Sequence, residues 1–141
     1  KALLPYIDVS RAWILYDRPP LRHWSRGRMV LLGDAAHPTN IYISQGACMA
    51  LEDAVVLAEL LARFDGGPQA FPAYEDLRYL RTARVQLTSR QFGEIYHAAG
   101  LQRELRNALL GGARPEGLSD ALGWIFGPAQ DDSFKTATTI A

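Results

Sequence analysis

Gly33-Asp34 and Ser44-Gln45-Gly46 are the residues in this chain whose types and spacing could do chemistry. Asp34 offers a carboxylate that only accepts hydrogen bonds, which suits the hydroxyls of a ribose or ribitol. Gly33 beside it removes a side chain and lets another group approach the backbone closely. A helix that begins near Ser44-Gln45-Gly46 presents free backbone N–H groups and the positive end of its dipole. Ser44 is a candidate cap, but Ala47 stands where the Glu or Gln of a capping box would be. Gly46 leaves the amides accessible, so that end can receive partial negative charge. The loop thus joins a polyol-binding carboxylate to an anion-stabilising helix end.

Other reactive side chains divide between two readings each. His37, beside Pro38, either holds the loop or touches a bound ligand. Glu52 and Asp53 are adjacent on a helix and point about 100° apart, so they form salt bridges or face solvent rather than act as an acid–base pair. Arg78, Arg81, Arg84 and Arg90 make a solvated or ion-paired helix face. Cys48 has no base near it in sequence and reads as a small buried helix residue. Trp13, Trp24, Tyr16 and Tyr42 either line an aromatic pocket or, for Trp13 above all, pack in a core. One Cys with His23, His37 and His97 gives no metal-ligand spacing, so no metal is expected.

These groups need elements to position them. Met29 to Leu32 is an apolar run without alternation, expected as a strand buried on both faces of a parallel sheet. Such a strand ends at the carboxyl edge where α/β proteins bind ligands, and there Gly33 and Asp34 follow. A helix is expected from about Ser44 to Phe64. Cys48, Leu51, Val55, Ala58 and Ala62 form one apolar stripe, with Ala47, Ala50, Ala54, Leu57 and Leu61 beside it, which predicts a mostly buried helix. Asp65-Gly66-Gly67-Pro68 ends it. A second helix is expected from Pro72 to about Ala99, broken by Gly100, a third over about 101–110, and a short fourth at "LSDALGWIF". Residues 12 to 17, "AWILYD", read as a further strand stopped by Pro19-Pro20. The tail after Gly127 is polar and expected to be loose.

The whole chain narrows the possibilities. Its 141 residues with 48% hydrophobic content indicate a packed α/β domain, mostly helical with two or three short strands, rather than disorder. Fifteen basic and fifteen acidic residues cancel, which gives no reason to expect nucleic acid or an anionic membrane. Glu52, Asp53 and Glu59 interrupt the longest apolar run. The single cysteine excludes an internal disulfide and suits a reducing, cytoplasmic compartment. The first residue is Lys1, and Met29–Leu32 has no evident parallel neighbours. The expectation is a piece of a longer polypeptide whose strand edge seeks a partner, by homo-oligomerisation or swapping.

The stretches "GRMVLLGDAAHP" and "QGACMALEDAVVLAELL" together resemble the second flavin-binding motif of FAD-dependent aromatic hydroxylases, the salicylate hydroxylase-like branch of the single-component flavoprotein monooxygenases. "RPPLRHWSRGR" and "AYEDLRYLRTARVQLTSRQFGEIYH" resemble the same branch, so the likeness spans roughly residues 12 to 110. It implies the C-terminal part of an FAD-binding, Rossmann-like fold. Residues 1–26 would be the end of a substrate-domain sheet and its connection, 27–64 the flavin-binding strand-loop-helix, 65–126 the C-terminal helices and 127–141 the tail. It also implies FAD as cofactor, NADH or NADPH as reductant, and hydroxylation of an aromatic phenol or acid with dioxygen. Asp34, preceded by Gly33, matches the residue that binds the ribityl chain. Gln45, Gly46, Ala47 and Cys48 match the helix start facing the flavin pyrimidine edge. His37, Ile41 and Tyr42 fall near the substrate space.

Two departures qualify the resemblance. No G-x-G-x-x-G spacing occurs, so the adenylate site is expected upstream of Lys1. Ile41 stands where many relatives carry Pro, and it either borders the substrate or packs in the core. Two alternatives stay open at this point: a non-catalytic helical fragment or interaction module that retains the motif, and another flavoenzyme of the same fold, a halogenase or epoxidase.

Overall fold

The structure, a computed structural model, describes residues 6–8, 10–12, 14–113 and 115–126. Its elements are a short hairpin of β1 (Ser25–Arg26) and β2 (Met29–Val30), 3-10 turns at Gly33–Ala35 and Ile41–Ile43, and four helices. The helices are α1 (Gly46–Arg63), α2 (Ala70–His97), α3 (Gly100–Gly112) and α4 (Pro115–Phe126). Trp13 and the tail from Gly127 lie outside the described residues.

The helices fall where glycine and proline punctuate the sequence. Asp65 and Gly66 adopt positive φ at the end of α1, and the Gly66 N–H donates to Leu61 O at 2.7 Å. This i to i−5 bond satisfies a carbonyl of the last turn. Pro72 sits in the first turn of α2, where its missing N–H costs no helical bond. Gly100, with φ of 52°, separates α2 from α3.

The burial of α1 corrects the sequence reading. Its buried residues are Met49, Asp53, Val56 and Leu60, spaced i, i+4, i+7, i+11. The stripe of Cys48, Leu51, Val55, Ala58 and Ala62 is exposed instead. Both faces are apolar enough to bury, so periodicity alone could not choose between them. What decides is the neighbour: α1 packs on α2, and α2 offers a partly polar face that includes Tyr74, Arg78, Thr82, Val85, Gln86 and Ser89.

Two apolar clusters result. Trp24, Ala36, Val56, Leu60, Ala70, Phe71 and Tyr74 form the first. Ile43, Met49, Val85 and Ile125 form the second. Fully burying a side chain such as Val56 or Leu60 contributes roughly 1.5–3 kcal/mol. Along α1 the two clusters are separated by Asp53, and along α2 by Arg78 and Thr82.

Two expected strands differ. Met29–Val30 pairs antiparallel with Ser25–Arg26, and Met29 is 71% exposed. A strand buried on both faces needs two strand neighbours and covering helices, and the described residues supply one two-residue neighbour. The described part of residues 12–17 forms no strand, and Ile14 and Tyr16 are exposed. Without a partner for its N–H and C=O groups, a β-prone sequence makes no ladder. No helix among the described residues is long and apolar enough to cross a membrane.

Candidate functional site

The connection from β2 to α1 is fastened from several directions. Gly33 opens it with φ of 59°, a left-handed conformation that strains a side-chain-bearing residue. A Cβ on Gly33 would lie 3.0 Å from Ala50 Cβ. The glycine is therefore required by close packing on α1, and the side it leaves bare faces that helix. The close approach that the sequence reading expected at Gly33 is made by Ala50 of that helix.

Asp53 holds both ends of the first turn. Its Oδ2 accepts from the Gly33 N–H at 3.1 Å and lies 2.5 Å from His37 Nε2. Its Oδ1 accepts from Arg78 Nε at 2.7 Å. Asp53 is 0% exposed and His37 2%. Burial would raise the Asp53 pKa, but the hydrogen bonds from His37 and Arg78 and their charges outweigh it and hold the carboxyl below its ordinary range. Arg78 Nη1 also meets Glu52 Oε2 at 2.7 Å, and Arg81 grips Glu52 through Nε and Nη2. Glu52 is likewise lowered, its Arg81 and Arg78 contacts overcoming desolvation. The acidic pair and, of the arginine series, Arg78, Arg81 and Arg90 are thus ion-paired, as one of the two sequence readings had it, while Arg84 stacks over the Trp124 ring.

Further along, Arg18 donates to Ala35 O and, at 2.8 Å, to Ala36 O. Gln86 Nε2 donates to Pro38 O at 2.8 Å, and Ser89 Oγ to Asn40 O at 2.7 Å. Tyr42 packs against Gly93, where a Cβ would come within 2.6 Å of Cε2. Its hydroxyl is 3.2 Å from His97 Nε2. Backbone carbonyls in an irregular loop need such donors when water is excluded.

With the loop held this way, Asp34 remains exposed. A Cβ on Gly46 would sit 3.6 Å from Asp34 Oδ1 and 3.4 Å from Thr39 Cγ2, so the carboxylate lies against the start of α1. No side chain caps that start. Ser44, the candidate cap, is left-handed with φ of 53°, and its hydroxyl donates to Ile41 O instead. The Gln45 side chain is buried, Gly46 is half-buried, and Ala47 and Cys48 are exposed. Cys48 is therefore not the buried helix residue expected. An exposed carboxylate beside uncapped amides pairs an acceptor for hydroxyls with donors for a carbonyl or anion. Those two functions fit a flavin's ribityl chain and pyrimidine edge.

The FAD binding domain family matches residues 7–89, more than half of the chain. This chain belongs to that family. Among its relatives as an FAD binding domain is a 3-hydroxybenzoate 6-hydroxylase of Polaromonas naphthalenivorans (strain CJ2), 50% identical over 125 residues, covering 86% of this chain and 31% of the relative. A 3-amino-4-hydroxybenzoate 2-monooxygenase of Streptomyces platensis is 48% identical over 128 residues, covering 89% of this chain and 31% of the relative. Klebsiella pneumoniae HpxO, solved as a variant complexed with FAD, superposes with a TM-score of 0.65 at 31% identity over 77% of this chain and 29% of its own. The chain spans about a third of the length of the curated relatives it matches.

Within this FAD binding domain the sequence-predicted residues separate. Asp34, Gly46, Ala47 and Cys48 gather at the start of α1, while Ile41, 63% exposed, and half-buried Tyr42 lie on the second 3-10 turn. His37 departs from the substrate-proximal expectation. Its ring is buried between Asp53 and Trp24, whose ring centroid is 5.4 Å away, so it has no open space to face. Sequence reasoning missed Asp53 and Arg78. Asp53 is the one charge in the buried stripe Met49–Asp53–Val56–Leu60 of α1, and Arg78 is buried on α2 together with Glu75.

Proposed function

We propose that this chain is the flavin-contacting C-terminal part of an FAD-dependent monooxygenase that hydroxylates an aromatic acid or phenol with NADH or NADPH and dioxygen. The observation that carries it is the exposed Asp34 carboxylate lying against the uncapped start of α1. The names of the relatives, hydroxylases and monooxygenases of substituted benzoates, supply the substrate class.

Each residue then has a physical task. Asp34 accepts hydrogen bonds from ribityl hydroxyls. The amides at Gln45, Gly46, Ala47 and Cys48, with the α1 dipole behind them, offer partial positive charge to the pyrimidine carbonyl edge. Gly33 sets the loop's entry. Ile41 and Tyr42 border the ring-binding space, with Tyr42 held by Gly93 and His97. FAD, when bound, supplies hydride acceptance and oxygen activation, and the protein supplies position and electrostatics. In this reading β2 is the last strand of a larger Rossmann-like sheet, residues 27–64 are its strand-loop-helix, and 65–126 support it. Residues 1–26 then close a substrate-domain sheet. The exposed apolar face of α1 and β2 receives the rest of that fold.

The test is the full-length protein carrying these residues. It should purify yellow, and a hydroxybenzoate should accelerate its NAD(P)H oxidation with a hydroxylated product by mass spectrometry. A folded, colourless protein that acquires no flavin spectrum with added FAD contradicts the proposal.

A further inference from the structure

The strongest unused feature of the molecule is the buried carboxylate of Asp53. It touches neither solvent nor any open space, yet it binds Gly33 N–H and His37 Nε2 through one oxygen and Arg78 through the other. Gly33 and His37 are the two residues that bracket the turn bearing Asp34. Arg78 itself is clamped by Glu52, and its Nη2 reaches Met49 O at 3.4 Å. The chain of contacts therefore runs from α2 through α1 to both feet of the Asp34 turn.

We propose that Asp53 is a positioning residue for the flavin site: it fixes the Gly33–His37 turn so that Asp34 meets the ribityl hydroxyls at the start of α1. This rests on the reading that Asp34 binds FAD. Arg18, on Ala35 O and Ala36 O, anchors the turn's outer side, but the Gly33 amide and the His37 ring depend on Asp53. An Asn at position 53 keeps the shape and loses the charge. Its amide nitrogen then faces either Arg78 or the Gly33 and His37 donors, so in either orientation the clamp that ties α2 through α1 to the turn loses a bond. Asp34 then has to be ordered at the moment of binding, which weakens affinity without removing any contact to FAD.

A merely structural Asp53 would lower thermal stability and leave the FAD dissociation constant of the folded protein unchanged. A double-mutant cycle separates the two. In the full-length protein, well below its melting temperature, Asp53→Asn should weaken FAD binding about tenfold. In an Asp34→Ala background the same change should alter the dissociation constant by less than about twofold, because Asp53 acts through Asp34. Should Asp53→Asn not fold, His37→Leu removes one foot and must show the same non-additivity. Equal weakening in both backgrounds, or none in either, overturns the positioning role while leaving the flavin assignment of Asp34 intact. If Asp34→Ala itself binds FAD as wild type does, the assignment and the positioning role both fail.

Discussion

Asp34 Oδ1 lies 3.6 Å from the point where Gly46 would carry a Cβ, so carboxylate and helix start share one small space. That space is bounded by Thr39 Cγ2 at 3.4 Å, distances at which a methyl group makes ordinary contact. Gly46→Ala should therefore fold normally and change stability by less than about 1 kcal/mol. The added methyl stands between Asp34 and the amides that face a ligand. FAD affinity should fall several-fold, with the thermal midpoint unchanged. A variant that loses stability and keeps its FAD affinity would separate Gly46 from the site.

Gly93 sets the position of Tyr42. Gly93→Ala drives a Cβ to 2.6 Å from Tyr42 Cε2 and 2.9 Å from Cδ2, so the ring must move and the Ile41–Ile43 turn with it. Overpacking of this kind costs typically 1–3 kcal/mol. The substrate KM should rise more than the FAD dissociation constant, and Tyr42→Ala should recover much of the stability in the Gly93→Ala background. Simple additivity of the two stability losses would mean that the ring does not rest there.

Asp53 gives a signed pH dependence. Its folded pKa is depressed, so it contributes stability above the unfolded value of about 3.9, and that contribution is lost as pH falls through the folded value. Glu75 acts in the same direction, its desolvation outweighed by donors from Ser25, Trp24 and His23. Near neutral pH Asp53→Asn should destabilise by about 3–5 kcal/mol, since Arg78 and His37 lose a buried partner. The gap should narrow as the pH drops below about 4. Denaturant melts across pH 2–8 check this, and a gap that widens in acid contradicts it.

Ile41 is exposed and follows Asn40, whose φ of −65° and ψ of 159° already suit a residue before proline. Both Ile41→Pro and Ile41→Ala should leave stability within about 0.5 kcal/mol. The expected change is in coupling, measured as hydroxylated product against hydrogen peroxide per NAD(P)H consumed. Wild-type coupling in both variants would remove Ile41 from the substrate boundary.

How much of this was legible depends on the range of the determining contact. The four helices were, because Asp65-Gly66-Gly67-Pro68 and Gly100 act within a turn of where they stand. The buried face of α1 was not. Cys48, Leu51 and Val55 are as apolar as the residues that are buried, and the choice belongs to α2, a separate element. For Asp53 the salt bridge was one of two readings, but its place as a buried clamp was not legible because its partners Gly33, His37 and Arg78 are distant in sequence. The Met29–Leu32 run has a composition that suits a doubly covered strand, and its pairing within the described residues is a two-residue hairpin. The exposed Asp34 beside Gly46 was read from local chemistry alone, and local geometry is what brings the two together.

The FAD dissociation constant of Asp34→Ala in the full-length protein tests the central claim most directly. The substitution removes an exposed carboxylate that holds nothing else in the loop, so the fold should persist. Losing one charge-assisted hydrogen bond, worth roughly 1.5–3 kcal/mol, should weaken FAD binding by about tenfold or more. A dissociation constant equal to that of the wild type, in a protein with the wild-type circular dichroism spectrum, would contradict the account.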